Sequence, residues 1–223
     1  MKRIIGVVIL VLAALLLRGA LYTVDETEQV VVTRFGEAVG DPVNEPGLKF
    51  KIPFIHKVNR FAKNLLEWDG EKGKVPTQDK TYIWVDVFAR WRIVDPLKYF
   101  QNVNNETNAH GKLDNIINAA VRNLVTSNPL IETVRNSNRQ MDLRESGLDD
   151  TSAVASAELQ MGRGAMSDAI LAASTPKLIP LGIEIVDVKF KRINYTEKVL
   201  NDVYGRMIAE RKQIAEKFRS EGK

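Results

Sequence analysis

A catalyst needs a nucleophile, a proton carrier or a metal site, and this 223-residue sequence offers little of any of them. It contains no cysteine and two histidines, His56 and His110. Thiolate catalysis, disulfide stapling, cysteine-ligated zinc and iron–sulfur clusters are excluded on that ground. Each histidine stands alone among loop-like residues and reads as an ordinary surface side chain, so neither a His-based triad nor an imidazole metal site has a second member. Ser152, Ser156 and Ser167 supply hydroxyls, yet no Gly-x-Ser-x-Gly elbow, Ser-x-x-Lys motif or partner histidine accompanies them. Asp25, Glu26 and Glu28 form an acidic clip with the charge to hold a cation. Carboxylates adjacent in sequence do not converge by that fact alone, and the clip reads as a solvated strand entry. No catalytic residue, metal site or cofactor is expected.

The chemistry that the residues do favour is that of an interface with lipid. Residues 4–17, IIGVVILVLAALLL, are uncharged, preceded by Lys2 and Arg3 and followed by Arg18. As a helix this run rises about 21 Å, short of a hydrocarbon core of about 30 Å. Continuing the helix through Val24, with Arg18 snorkelling, reaches the full thickness. Eleven Ile, Leu and Val residues at roughly −0.3 to −0.6 kcal/mol each outweigh one arginine at about +3 kcal/mol. A cleavage site would need small residues, and Arg18-Gly19-Ala20 places an arginine among them, so an uncleaved anchor over residues 1–24 is expected. Lys2 and Arg3 favour a cytoplasmic N-terminus.

The roughly 200 residues beyond it suffice for one large domain or two small ones. Net charge is +4 with the signs interspersed, which does not point to nucleic acid. Residues 29–35, QVVVTRF, read as a strand ending at Gly36. In the run from Glu45 to Ile55, Leu48, Phe50 and Ile52 share one strand face and Lys49 and Lys51 the other. Such a strand is either half buried or dipped into lipid, with Lys49, Lys51 and Lys57 meeting anionic headgroups. Residues 58–68 continue as strand and residues 70–73 as a turn.

Over residues 81–94, Ile83, Val85, Val87, Ala89, Trp91 and Ile93 alternate with Tyr82, Trp84, Asp86, Phe88, Arg90 and Arg92, which predicts a strand with one core face. Asp95-Pro96 is a helix start over residues 97–101. After a polar linker over residues 102–111, a helix carries Leu113, Ile116, Ile117, Ala120, Val121, Leu124 and Val125 on one stripe and stops at Asn128-Pro129. Residues 136–174 are small and polar and read as helix fragments around a flexible insertion. Residues 176–182 form a breaker-rich connection into a strand over residues 183–193, whose Lys189, Lys191 and Arg192 fit lipid contact or a solvated edge. Asn194 and Glu197 resemble a capping box opening a final helix with Leu200, Val203, Met207, Ile208, Ile214 and Phe218 amid dense charge. Arg206 with Glu210 and Lys212 with Glu216 fall at i, i+4. The pattern is still helical at Lys223, as in a chain whose helix continues as a coiled coil. Asn105-Glu106-Thr107 and Asn194-Tyr195-Thr196 match glycosylation sequons, short matches that are commonly fortuitous.

Several of these segments, in this order, resemble the SPFH or Band 7 family of stomatins, prohibitins and flotillins. The carrying residues are Thr33-Arg34-Phe35-Gly36, the run Glu45-Pro46-Gly47-Leu48-Lys49-Phe50-Lys51-Ile52-Pro53-Phe54-Ile55, and Arg90-Trp91-Arg92-Ile93. Leu181-Gly182-Ile183-Glu184-Ile185-Val186-Asp187-Val188 with Ile193-Asn194, and Arg206-Met207-Ile208-Ala209-Glu210-Arg211, complete them. The similarity runs from about Val24 to Arg211 and is poorest over residues 136–174. It implies an α/β (α+β) SPFH/Band 7 domain over residues 25–194, in two subdomains, followed by the start of an assembly helix over residues 195–223. By the same resemblance Phe50, Ile52, Phe54 and Ile55 contact membrane, and Met207, Ile208, Glu210 and Arg211 belong to the assembly helix. The implied activity is non-enzymatic. A single-pass protein of the bacterial inner membrane, with its main domain periplasmic, joins an HflK-like partner in a cage that regulates the ATP-dependent membrane protease FtsH. The alternatives are a stomatin-like organiser of membrane microdomains and, from another class, a membrane-anchored hydrolase. Against the last stand the missing cysteine, paired histidines, P-loop and nucleophile motif.

Overall fold

The computed structural model describes residues 4–5, 18–138 and 159–221. It is a mixed α+β fold in two compact units, the first made of Met1–Trp68, Arg90–Leu113 and Thr175–Val186, the second of Asp69–Ala89, Asp114–Ser174 and Asp187–Lys223. Most of residues 4–17, and with them the expected anchor, lie outside the described residues; among those described, no helix is long and apolar enough to cross a membrane.

In the first unit a helical turn at residues 18–20 passes directly into β1 (Leu21–Val24). The expected continuation of a helix to Val24 is therefore corrected. The Tyr22 and Val24 side chains alternate inward and join Val30 in the core, against Val32, Val43 and Val58, a period-two burial that only a strand provides. β2 (Glu28–Arg34), β3 (Glu37–Ala38), β4 (Gly47–Phe50) and β5 (His56–Ala62) complete this part. β1 pairs antiparallel with β4, and β2 lies between β3 and β5. The strand expected over residues 58–68 is broken at residues 63–65 and resumes as β6 (Leu66–Asp69).

β7 (Gly73–Pro76) and β8 (Tyr82–Ile93) follow, with β8 between β6 and β7 on its sheet path and also paired with β9 (Ile183–Tyr195). The predicted alternation in β8 is realised in full: Ile83, Val85, Val87, Ala89, Trp91 and Ile93 are all buried. In β9 the buried positions pass from Ile183 and Ile185 to Val188. Gln29 donates from Nε2 to the carbonyls of Ala62 (3.1 Å) and Ile93 (3.0 Å), tying the end of β8 to β2 and β5 within the first unit.

Asp95 accepts from the backbone N–H of Leu97 and Lys98 and so caps α1 (Pro96–Asn102), as expected. The following helix starts earlier than the sequence suggested. Asn105 accepts from the N–H of Asn108 at 2.8 Å and opens α2 (Glu106–Ser127), which absorbs most of the supposed linker because a side-chain cap outweighs polar composition. Its stripe of Leu113, Ile117, Ala120, Val121 and Val125 is buried. After the short α3 (Leu130–Val134), α4 (Gly162–Leu178) is a full helix that runs through Pro176, where a connection was expected, before a 3-10 turn at Ile179–Leu181. Residues 139–158, most of the expected flexible insertion, lie outside the described residues. α5 (Glu197–Glu221) begins one residue after Thr196, leaving Asn194 in β9, so the expected capping box does not form.

Candidate functional site

The described side chains among those nominated for chemistry are spent on structure. His56 sits in β5, its Nδ1 accepting from the Ile52 N–H at 3.4 Å, and His110 sits in α2 edge-on to the Trp91 ring at 6.2 Å. Both are half buried in regular elements rather than in loops. Ser152 and Ser156 lie outside the described residues; Ser167 is buried in α4 and donates to the Arg163 carbonyl one turn back. The three carboxylates of the acidic clip diverge. Asp25 accepts from the N–H and hydroxyl of Thr27, which hold its carboxyl below the usual range. Glu26 meets Lys63 at 3.2 Å and Glu28 meets Arg60 at 3.1 Å. Among the described residues, no group of three or more His, Asp or Glu side chains gathers around a common point.

A groove of the first unit, about 690 Å³, carries Arg92, Glu184, Asp95 and Lys98 on walls of Pro42, Val94, Pro96 and Ile179. Its charges neutralise one another, Arg92 with Glu184 at 2.6 Å and Lys98 with Asp95 at 3.0 Å. Neither pair leaves a base free beside a nucleophile.

The apolar residues of β4 and the loop after it are turned outward. In the β1–β4 ladder Leu21 lies opposite Phe50, Tyr22 opposite Lys49 and Thr23 opposite Leu48. Tyr22 points into the core, so Leu21, Leu48 and Phe50 must point away from it. Phe50 is 72% exposed, Ile52 51% and Phe54 94%, while Lys49 is half buried and reaches Glu45. The half-buried strand reading is corrected accordingly: the apolar face is the solvent face. Ile55 is exposed beside them. Phe35, which the sequence reading placed at the end of a strand, belongs to the same surface. The pairing of Arg34 with His56 sets the β2–β3 turn and the loop before β5 at one end of the sheet, and Phe35 is 89% exposed at that turn. Both phenylalanines have left-handed backbone, φ 51° at Phe35 and 66° at Phe54, an arrangement that L-residues avoid unless the surrounding turn imposes it.

This end is also where the N-terminal segment arrives. Lys51 donates its N–H to the Ala20 carbonyl at 2.7 Å, and a Cβ on Gly19 would meet Pro53 at 3.3 Å. Leu21, Phe35, Leu48, Phe50, Ile52, Phe54 and Ile55 are thus all exposed, and burying large apolar side chains is worth roughly 1.5–3 kcal/mol each.

The second exposed set lies on α5. Tyr204, Met207, Ile208 and Phe218 are all exposed, with Val203 and Ile214 half buried along the helix. Arg211 is also exposed. Glu210, placed on the same helix, falls within α5.

Three features thus go together: a strand–turn display of apolar side chains next to the N-terminal segment, an α+β body without a catalytic constellation among the described residues, and a terminal amphipathic helix. The sequence profile of the SPFH domain / Band 7 family matches residues 22–223. The chain is 35% identical over 230 residues to "Protein HflC" of Treponema pallidum (strain Nichols), covering 98% of the chain and 69% of that relative. It is 34% identical over 226 residues to "Protein HflC" of Borreliella burgdorferi (99% and 70%). To "Modulator of FtsH protease HflC" of Escherichia coli (strain K12) it is 28% identical over 245 residues (99% and 72%). With a family profile covering residues 22–223 and a relative 35% identical over 98% of the chain, the chain belongs to the SPFH domain / Band 7 family.

Proposed function

We propose that the chain is an HflC-like, membrane-anchored scaffold that assembles with an HflK-like partner into a cage around an FtsH-like protease, and that it is not itself an enzyme. The segment before β1 holds it to the bacterial inner membrane, the body from β1 to β9 forms the periplasmic SPFH domain, and α5 is the helix through which subunits associate. Regulation on this reading is containment: the cage limits which substrates reach the protease and performs no bond chemistry. The observation that carries it is the outward apolar face of Leu48, Phe50, Ile52 and Phe54 beside the point where the N-terminal segment enters the fold. Placed against lipid, that face buries its apolar area, and Lys51 and Lys57 come level with anionic headgroups. On α5, Met207 and Ile208 supply apolar contacts to a neighbouring helix, and Glu210 and Arg211 the flanking charges.

Affinity capture of the tagged chain from native membranes tests the reading. Recovery of an HflK-like protein together with an FtsH-like protease is the expected result. Recovery of neither, with the chain still in the membrane fraction, overturns the cage and leaves an organiser of lipid microdomains.

A further inference from the structure

β9 pairs with β8 and, among the described residues, with no other strand, so one of its edges is open. Its residues 187–195 belong to the second unit, and among the described residues no turn or loop bonds to their backbone. The open edge of a strand offers a row of N–H and C=O groups at the spacing of a ladder. It takes up a further strand unless short length, a bulge, charge or a cover prevents it. This strand is 13 residues long, and Lys189, Lys191, Arg192, Asn194 and Tyr195 are exposed, so neither brevity nor a cover protects this half of it. Charge is what decides which strand fits.

Residues 187–195, DVKFKRINY, hold Lys189, Lys191 and Arg192 against Asp187. Lys191 is occupied: its Nζ meets Asp69 at 2.6 Å, with Asp86 adding to the attraction. Lys189 and Arg192 make, among the described residues, no hydrogen bond or ion pair, and Arg192 stands close enough to Lys191 to oppose the charge there. Two copies joined through this edge would set like charges against one another across the ladder, which is destabilising. Lipid headgroups would meet the charges but supply no ladder of donors and acceptors to the backbone. An extended segment that carries acids meets both. Period-two geometry adds a spacing: Lys189 and Arg192 are three positions apart and so lie on opposite faces of the strand. Residues directly across from them are three apart as well, one on each face of the added strand.

We propose that the open edge of β9 takes up an extended acidic segment of a partner polypeptide as an added strand, with two carboxylates three residues apart opposite Lys189 and Arg192. Backbone bonds supply the pairing, and the two ion pairs select the sequence. Exposed ion pairs contribute modestly, so the selectivity is about fivefold. The edge is distinct from the membrane face and from the apolar residues of α5, and it does not depend on the cage reading.

The probe is the blocked peptide acetyl-TTEVTETT-amide, titrated into the full chain in detergent micelles and followed by amide hydrogen exchange over residues 187–195. The expected result is a saturable rise in protection of that stretch, about fivefold weaker with TTKVTKTT. N-methylation of alternate amides in the acidic peptide keeps its charge, removes its ladder donors and should abolish the protection. In the chain carrying Lys189→Glu and Arg192→Glu the preference should reverse towards the lysine peptide; both positions are exposed, and the thermal midpoint of this variant is measured alongside. The comparison of the three peptides on the parent chain needs no variant. Equal binding of the N-methylated peptide would reduce the contact to charge and overturn the added strand. Absent protection, equal binding of the lysine peptide, or an unreversed preference in the folded variant overturns the proposal as well.

Discussion

Glu132 is the residue whose role nothing in its neighbourhood announces. It is 3% exposed and accepts the backbone N–H groups of Gln160 (2.6 Å), Met161 (2.9 Å) and Gly162 (2.5 Å), where α4 begins. The Arg135 carbonyl takes the N–H of Arg163, and Asn136 Oδ1 takes that of Gly164. A helix leaves its first N–H groups without intrahelical partners, and here a short segment 28 residues upstream meets them. Burial alone would raise the Glu132 carboxyl; the three N–H groups more than offset it and hold it below the usual glutamate range. Because the folded value is depressed, the stabilisation is complete above the unfolded glutamate's range and is lost as pH falls through the lower folded value. Glu132→Gln should therefore cost about 1–3 kcal/mol at neutral pH and flatten the acid limb of the thermal midpoint against pH. Trp91, fully buried with its indole N–H donating to the Glu67 carbonyl, should cost about 3–5 kcal/mol on replacement by alanine in chemical denaturation.

At the scale of elements, β4 and the loop after it should behave as a membrane-binding edge. In a form lacking residues 1–17, replacing Phe50 and Phe54 by Asp should weaken binding to anionic liposomes by more than about tenfold, since two large apolar groups are lost. Binding that withstands both substitutions would sink the interfacial reading. The truncation has to spare β1, whose Tyr22 and Val24 belong to the core. Alternation made both β4 and β8 legible as strands in the sequence, and for β8 the apolar side was the core side. For β4 it was not. Alternation defines two faces without saying which one meets the core, and the fold turned Leu48 and Phe50 outward by pairing β4 with a strand that buries Tyr22 and Val24. α4 was hidden for a different reason: its residues are small, it contains Pro176, and its start depends on Glu132, far away in sequence.

At the scale of the whole molecule, the claim is association through α5. Met207 and Ile208 are exposed on a 25-residue helix, and apolar side chains there have no reason to stay in water if a neighbouring helix is available. Replacing both by Asp should leave the unfolding free energy within about 0.5 kcal/mol of the parent, as for surface positions, while shifting sedimentation of the detergent-solubilised protein towards monomer. An unchanged assembly size would remove α5 from the interface.

The hydrogen bond from the Lys51 N–H to the Ala20 carbonyl, followed at once by the β1–β4 ladder, leaves no slack between residues 18–20 and the first strand. A linker of several free residues would act as a swivel; here there is none. Whatever grips the chain just before Leu21 therefore fixes the azimuth of the β1–β4 ribbon as well, and a twist applied on one side of residue 20 is delivered as torque on the other.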